Sequence, residues 1–329
     1  MKKWLIGIFL LLTALYFGFC WYLSGMIMHG PPRRDIPTAF DRLKNDWNID
    51  RDSIMQGLPE PEEVTFPGTP LPASPVFEEG APIMHGWLFP SGKDTADCAV
   101  LMAHGITDNR SGMLKYTAPY RDCGCELLLY DHRAHHLSGN DDLVTGGIYE
   151  AKDVEAAHRY LVELFGLQSS HVGWVGESWG AAAVLIAAGN DNIRPAFVAT
   201  DSPYSDWETA ISERAEKMFG GWIGLFFPGT FWFVDQRLGI NHNEASPRRA
   251  AANIQVPTLI VHSAADVETS ADQSQKIYDN FTLKELAQLE LLDWNSWHAQ
   301  SAARRPGEYS KLVKAFMDRV APNFCHQPD

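Results

Sequence analysis

The sequence has little positive charge for its length, and this shortage limits its partners. Among 329 residues, 27 are lysine or arginine and 41 are aspartate or glutamate, so the formal net charge is −14 at pH 7. An acidic surface repels polyanions, and we therefore expect no nucleic-acid partner. Anionic lipid headgroups are repelled as well, so any attachment to a membrane must come from an apolar segment.

Cysteine is also scarce, with five residues in the chain. Cys123 and Cys125 form a close pair, but the second pair that a zinc site needs is missing, and we expect no metal or organic cofactor. Cys98 and Cys125 each begin an apolar strand, which predicts buried free thiols. A disulfide from Cys98 to Cys123 or Cys125 stays open for an oxidising compartment.

One long apolar run is present, at the N-terminus. The chain is uncharged from Trp4 to Met28 and strongly apolar from Trp4 to Leu23. About 20 apolar residues in a helix span the hydrocarbon core of a bilayer. Trp21 and Tyr22 lie near one end of the run, where amphipathic rings prefer to sit. Residues 1–28 are therefore predicted to be a single transmembrane helix, followed by a linker at residues 29–62.

The alternative for this run is a cleavable signal peptide. No A-x-A site follows it, and Phe19 before Cys20 does not suit a lipoprotein-type site, so an uncleaved anchor is favoured. Lys2 and Lys3 favour a cytoplasmic N-terminus, which would place the rest of the chain outside the cytoplasm. That asymmetry is weakened by three basic residues on the other side of the run: Arg33, Arg34 and Arg42.

Short apolar runs alternate with amphipathic helical patterns over residues 63–329. Runs that are apolar throughout are typical of strands buried on both faces. We therefore predict an α/β fold, with a mostly parallel eight-stranded sheet and helices on both faces. The predicted strands are Glu63–Phe66, Ile83–Phe89, Cys98–Ala103, Glu126–Tyr130, Val172–Val175, Ala196–Thr200, Thr258–Val261 and Gln288–Leu292.

The stretch Gly176–Gly180 has the pattern G-x-S-x-G, between an apolar strand and a helix of small residues. A serine on such a sharp turn is exposed at the end of the sheet, so Ser178 is a candidate nucleophile. The Trp179 amide, at the helix N-terminus, points where an oxyanion would form. The Ile106 amide, after His104-Gly105, is the candidate second donor. The alternative is a glycine-rich turn with an incidental serine.

Ser178 needs a base, and the base needs an orienting acid. Asp266 and His298 follow the last two strands, in the order nucleophile, acid, histidine that goes with this turn. Asp201 is a competing acid, although it is followed by Ser-Pro and could simply cap the next turn. His298 could alternatively be a surface histidine. Polar residues follow six strands in all: His104, Asp131, Ser178, Asp201, Asp266 and His298.

Together these residues resemble the α/β-hydrolase family, and within it the membrane-anchored serine hydrolases with an abhydrolase domain. The resemblance covers roughly residues 63–320 and implies an α/β-hydrolase fold. It also implies Ser178, Asp266 and His298 as catalytic triad, with Ile106 and Trp179 as oxyanion hole. The matching pieces are His104-Gly105 with Asn109-Arg110, Tyr130 to Arg133 with Ser138-Gly139, Gly176–Gly180, Asp201-Ser202-Pro203, His262 to Asp266, and His298.

Two departures from the family pattern are visible. Arg133-Ala134-His135-His136 stands where the family has Arg-Gly-x-Gly, so the geometry of this loop is not implied by the resemblance. His135 or His136 is a candidate for the entrance of the site. Ser263 replaces a usual glycine before the acid.

Residues 204–253 form an insertion between two strands, which we interpret as a cap with a helix starting near Asp206. Trp222 to Val234 is unusually aromatic. Its apolar face is predicted either to accept an acyl chain or to touch the bilayer; alternatively, it only buries the cap against the domain. The sequence therefore predicts a membrane-anchored serine esterase acting on a small or lipid-like acyl substrate. A thioesterase, a peptidase and a non-catalytic binding protein are the alternatives.

Overall fold

An eight-stranded sheet forms the centre of the computed structural model, which describes residues 2–47, 49–70, 80–139 and 142–325. The strand order is β1-β2-β4-β3-β5-β6-β7-β8. The pairs β1–β2 and β2–β4 are antiparallel and the remaining five are parallel, which confirms the predicted mostly parallel sheet. The strands are β1 Glu62–Pro67, β2 Ile83–Phe89, β3 Ala99–Ala103, β4 Glu126–Tyr130, β5 Val172–Glu177, β6 Phe197–Asp201, β7 Thr258–Ser263 and β8 Ala287–Leu292.

Helices cover both faces of this sheet because successive strand residues point to opposite sides. The helices are α1 Lys2–His29, α2 Ile36–Trp47, α3 Arg51–Met55, α4 Ala118–Arg121, α5 Ile148–Phe165, α6 Trp179–Gly189, α7 Trp207–Phe219, α8 Phe227–Leu238, α9 Pro247–Ala251, α10 Ala271–Asp279, α11 Ser301–Arg304 and α12 Pro306–Val320. In β3, Leu101 packs with the cluster that includes α5 and α6, while Val100 and Met102 pack with the cluster that includes α4 and α12.

The helix α1 is long and apolar enough to cross a membrane by length and composition. A helix of this kind near an N-terminus is either a membrane span or a signal sequence. Met1, the first residue of the predicted anchor, and residues 326–329 at the end of the predicted hydrolase domain lie outside the described residues. The predicted linker contains α2 and α3, and α2 buries Ala39 and Leu43.

The cap comprises α7, a short 3₁₀ segment Gly221–Phe226, and α8. The helix α7 begins directly after Asp206, as the sequence predicted. Its Trp207 packs at 6.1 Å between ring centroids against Trp179, the residue after the candidate nucleophile. The cap therefore lies over the carboxyl end of β5.

The prediction of free buried thiols is wrong for Cys98 and Cys125, which form a disulfide. Of the two alternatives that the sequence left open for Cys98, the bond to Cys125 is the one that is formed. They precede the neighbouring parallel strands β3 and β4, so their Cα atoms lie 4.7 Å apart at the same edge of the sheet. A second disulfide joins Cys123 to Cys325, beyond α12. Cys20, in α1, is free and buried.

Candidate active site

The turn between β5 and α6 holds Ser178 in a conformation that non-glycine residues rarely adopt, with φ 51° and ψ −109°. Such backbone strain costs on the order of 1–3 kcal/mol and persists only where surrounding contacts enforce it. Here the amide of Ser178 donates to the carbonyl of Asp201 at 2.8 Å, and that of Gly180 donates to the carbonyl of His104 at 3.1 Å. The serine is thereby fixed to the ends of β6 and β3.

The two glycines of the turn are required by close backbone contacts. A Cβ on Gly180 would lie 2.0 Å from the carbonyl oxygen of Ala103, and one on Gly176 would lie 2.5 Å from that of Gly180. Both distances are far below van der Waals contact with atoms that cannot rotate away. This explains why the turn needs glycine at both ends of the pattern G-x-S-x-G.

Three side chains that are distant in sequence form one chain of hydrogen bonds above this turn. His298 Nε2 lies 2.7 Å from Ser178 Oγ, and His298 Nδ1 lies 2.7 Å from Asp266 Oδ2. His298 follows β8 and Asp266 follows β7, so the sheet brings both to the carboxyl end of β5. This arrangement is able to move a proton from the serine hydroxyl to the imidazole.

The Asp266 carboxylate is buried and held on both oxygens. Its Oδ1 accepts the amides of Glu268 at 2.9 Å and Thr269 at 3.0 Å, while Oδ2 accepts from His262 Nε2 at 3.2 Å as well as from His298. Burial alone would raise the pKa of Asp266, but the hydrogen bonds from the two histidines and the backbone lower it well below its usual value. The group is therefore a permanent anion.

This anion in turn sets the protonation of His298. Burial alone would lower the pKa of the imidazole, but the hydrogen bond and the charge of Asp266 raise it above its ordinary value. A raised pKa makes the ring a stronger proton acceptor. Because Asp266 accepts from Nδ1, the proton of the neutral ring lies on Nδ1 and leaves Nε2 free to face the serine.

The candidate oxyanion residues flank the serine on two elements. A Cβ on Gly105 would lie 3.7 Å from the Cβ of Ser178, so the loop after β3 passes directly beside the nucleophile. Ile106 is the next residue of that loop, and its carbonyl lies 2.8 Å from His135 Nε2. Trp179 is the first residue of α6. The role of the two amides stays a prediction.

Asp201, the competing acid, lies at the end of β6 but does not contact His298. Its Oδ2 accepts the hydroxyl of Tyr116 at 3.1 Å and its Oδ1 accepts that of Ser202 at 3.0 Å. Ser202 Oγ also accepts the amide of Ala299 at 3.2 Å. The Tyr116 hydroxyl lies 3.3 Å from the Ala299 carbonyl, so its one proton is shared between that carbonyl and Asp201. Asp201 therefore supports the loop that carries His298. Burial raises its pKa to about 6.

The other strand-end residues support the loops around the site. His104 is buried, and its Nε2 accepts the amide of His132 at 3.1 Å. Asp131 Oδ1 accepts the amide of Arg110 at 2.8 Å, and its Oδ2 lies 3.2 Å from His136. These contacts are structural and do not reach Ser178.

The loop Arg133-Ala134-His135-His136 has two non-glycine residues in the left-handed backbone region that usually favours glycine. Ala134 and His136 have φ of 62° and 48°, which costs roughly 1–2 kcal/mol per residue. The ion pair of Arg133 with Asp153, at 2.5 Å, holds the loop. His135 is buried, whereas His136 lines an open cleft of about 640 Å³ between this loop and residues 29–35.

Sequence reasoning missed several residues beside the site. Tyr116 had no signal, because its contact with Asp201 spans 85 residues. Lys115 forms a buried ion pair with Glu177 at 2.5 Å, next to Gly105. Within the described part of the chain, no group of three or more histidine, cysteine, aspartate or glutamate residues is arranged to hold a metal ion.

The fold and this arrangement define the class of the protein, which is an α/β-hydrolase of the serine hydrolase type. Residues 144–323 match the model of the prolyl oligopeptidase family, Peptidase_S9. The chain belongs to that family. It is 30% identical over 227 residues to the protein YqkD of Bacillus subtilis (strain 168), covering 67% of this chain and 71% of the relative.

Solved structures share the fold. The esterase Pf2001 of Pyrococcus furiosus superposes with a TM-score of 0.62 at 20% identity, covering 89% of this chain and 98% of the esterase. The acylaminoacyl peptidase of Pyrococcus horikoshii has a TM-score of 0.59 at 18% identity, covering 85% of this chain and 45% of the peptidase. At these identities the likeness shows the fold alone.

Proposed function

We propose that the protein cleaves carboxylic esters through an acyl-enzyme intermediate on Ser178. The observation that carries the proposal is the hydrogen-bonded chain Ser178–His298–Asp266 on a strained turn. In this reaction His298 Nε2 takes the proton of Ser178 as Oγ attacks the ester carbonyl carbon. The tetrahedral oxyanion accepts hydrogen bonds from the amides of Ile106 and Trp179.

Collapse of the tetrahedral intermediate breaks the bond from carbon to the alcohol oxygen. The departing alkoxide takes the proton back from His298 and leaves as the alcohol, so the serine is acylated. A water molecule then gives a proton to His298 and attacks the acyl carbon. The carboxylic acid leaves, and Ser178 recovers its proton. Asp266 keeps its negative charge throughout and stabilises the imidazolium.

Ester cleavage is favoured over peptide cleavage by the extent of the structural likeness. The Pyrococcus furiosus esterase is matched over 98% of its length, whereas the acylaminoacyl peptidase is matched over 45%. The peptidase therefore contains a large part that has no counterpart in this chain. Peptide cleavage remains the second candidate, because the matching family is named for an oligopeptidase.

A comparison of leaving groups separates these candidates. Purified protein is assayed with p-nitrophenyl esters and with p-nitroanilides that carry the same acyl group or a short acylated peptide. The proposal predicts turnover of the esters with a much larger kcat/KM than of the anilides. A higher kcat/KM for the peptide anilides would contradict the proposal, and folded protein that turns over neither substrate would favour a non-catalytic binding role.

The cap supports an acyl-binding role. Trp179, Tyr204 and Trp207 form part of one buried apolar cluster directly beside the nucleophile. An acyl chain that packed against this cluster would gain about 0.8 kcal/mol per buried methylene group. Rates across p-nitrophenyl esters of increasing chain length test this role. A sharp preference for the acetate ester would contradict it.

We also propose that α1 anchors the protein in a membrane with the hydrolase domain outside the cytoplasm. Support comes from the length and apolarity of α1 and from the two disulfides, which persist in oxidising compartments. Fractionation of cells and digestion of the intact cell surface with protease test the anchor and its orientation. Full-length protein in the cytosolic fraction would contradict the anchor.

A further inference from the structure

The cap contains an apolar cap segment, residues 218–234, without a charged side chain. Its large apolar residues divide into three sets. Ile223, Phe231 and Val234 are buried against the rest of the protein. Phe226, Phe227 and Phe233 are half-buried. Five residues are exposed: Leu225 by 73%, Met218 by 67%, Trp222 by 55%, Trp232 by 53% and Phe219 by 48%. Contiguous large apolar side chains exposed on one surface mark an interaction site.

The helix α1 docks on this same segment. Tyr16 donates its hydroxyl to the carbonyl of Leu225 at 3.1 Å, and its ring stacks on Phe226 with centroids 5.3 Å apart. The Cys20 thiol reaches the carbonyl of Phe226 at 3.5 Å. Gly229 allows this approach, since a Cβ there would lie 2.7 Å from Cys20 Sγ.

These contacts fix the depth of the cap relative to the anchor. The apolar run of α1 ends at Leu23, and Tyr16 lies seven residues earlier, about 10 Å further along the helix axis. If α1 spans a bilayer, Leu225 and Phe226 lie nearly as deep in it as Tyr16, about 10 Å inside the end of the apolar run. Their carbonyls are already satisfied by Tyr16 and Cys20, as backbone groups in a lipid environment must be.

The polar contacts of the same interface are found nearer the end of α1. Arg237, just beyond the apolar cap segment, donates to the hydroxyl of Ser24 at 2.7 Å and to the carbonyl of Trp21 at 3.1 Å. Its guanidinium lies 4.7 Å from the Trp21 ring centroid. An arginine and a tryptophan at this level are typical of the membrane–water interface.

We propose that the apolar cap segment is a second membrane-contacting surface, inserted into the same leaflet as the C-terminal half of α1. The bilayer is the occupant because the exposed rings are continuous with α1: Phe19 packs on Phe226 with centroids 4.7 Å apart, and Phe226 packs on Trp222 at 6.1 Å. The exposed side chains also carry no charge. The inference rests on α1 as an anchor and is independent of the catalytic chemistry.

Spin labels on the full-length protein test the proposal in nanodiscs of phosphatidylcholine. In a Cys20→Ala background, a nitroxide is attached at Leu225→Cys. Leu164→Cys is the matched control, since Leu164 is also an exposed leucine. It lies at the C-terminal end of α5, close to the start of β5 and therefore at the opposite end of that strand from the cap. A second label at Trp222→Cys covers the case in which the first variant does not fold.

For each label we compare the collision rate with oxygen, which concentrates in the bilayer, with the collision rate with a water-soluble nickel chelate. The proposal predicts that this ratio is several-fold higher at 225 and 222 than at 164. Equal ratios at all three positions would overturn it, because the cap surface would then face water. The intact mass is measured on the same samples. A mass lacking α1 would also overturn the proposal, and it would do so without bearing on the proposed ester hydrolysis.

Discussion

Replacement of Asp266 by asparagine tests how the acid controls the histidine. In the structure Asp266 Oδ1 accepts two amides, at 2.9 and 3.0 Å, so the amide oxygen of the introduced asparagine would occupy that position. Its NH₂ group would then face His298 Nδ1 in place of Oδ2. His298 would have to accept at Nδ1 and carry its proton on Nε2, where it cannot take the proton of Ser178.

The expected magnitude follows from this change of tautomer. A triad with the wrong histidine tautomer loses about 10⁴ in kcat, which corresponds to about 5.5 kcal/mol in the activation free energy. Asp201→Asn is the matched control, because Asp201 is also a buried strand-end aspartate. Its two partners are the hydroxyls of Tyr116 and Ser202, which can turn to accept as well as donate. We therefore expect a loss below about tenfold for that variant.

Hydrolysis of a p-nitrophenyl ester gives kcat and KM for both variants, and thermal unfolding verifies that each is folded. If folded Asp266→Asn stays within tenfold of the unmodified protein, Asp266 does not control the tautomer of His298. A larger loss in Asp201→Asn would show instead that Asp201 is the acid that orients the histidine.

Three further changes have defined outcomes. Gly180→Ala places a Cβ 2.0 Å from the carbonyl oxygen that ends β3, so we expect destabilisation by about 3 kcal/mol or more. Gly307→Ala, in α12 with open space, is its control and leaves the denaturation midpoint unchanged or slightly raised. The kcat/KM of the ester reaction should fall as pH drops through the raised pKa of His298, with a midpoint above the ordinary imidazole value; a midpoint below that value would contradict the assignment. Replacing Cys98 and Cys125 by alanine opens a 27-residue separation and should cost roughly 3–4 kcal/mol in urea unfolding; an unchanged midpoint would argue against the disulfide.

Much of the fold could be predicted because its strands are continuous apolar runs. All eight are confirmed, with ends that differ by at most two residues. One of the larger differences arises where a partner extends a strand: β5 continues to Glu177, which pairs with Asp201 of β6. The order of strands in the sheet, with β4 between β2 and β3, has no local signal in these runs.

The two disulfides depend on contacts between residues that are distant in the sequence. Cys98 and Cys125 look like core residues in sequence, and their bond depends on the parallel pairing of β3 with β4. Cys123 bonds to Cys325 across 202 residues, which no spacing rule predicts.

In the site, residues at strand ends could be predicted, whereas residues that support them from other elements could not. Ser178, Asp266 and His298 meet as the sequence suggested, although their catalytic roles stay predictions. Tyr116 contacts the loop of His298 through the Ala299 carbonyl, and only the fold brings these two residues together. His262 had a signal, since it lies at the end of a predicted apolar run, four residues before Asp266.

The apolar cap segment was the least predictable part, because residues 218–234 carry no charged side chain that would mark a solvent-facing side. Periodicity cannot separate a buried face from an exposed face when both consist of aromatic and aliphatic residues. The structure makes the separation: Phe231 is buried and the neighbouring Trp232 is exposed. The expectation that these side chains only bury the cap against the domain therefore holds for the buried residues and not for the exposed ones.

Labelling with a fluorophosphonate shows whether Ser178 is an activated nucleophile, since this probe phosphonylates an activated serine. We expect a single adduct, located by mass spectrometry on the peptide that contains Ser178. The adduct should be absent in Ser178→Ala and formed far more slowly in His298→Ala. An adduct on another residue, or unchanged labelling of folded Ser178→Ala, would show that Ser178 is not the nucleophile.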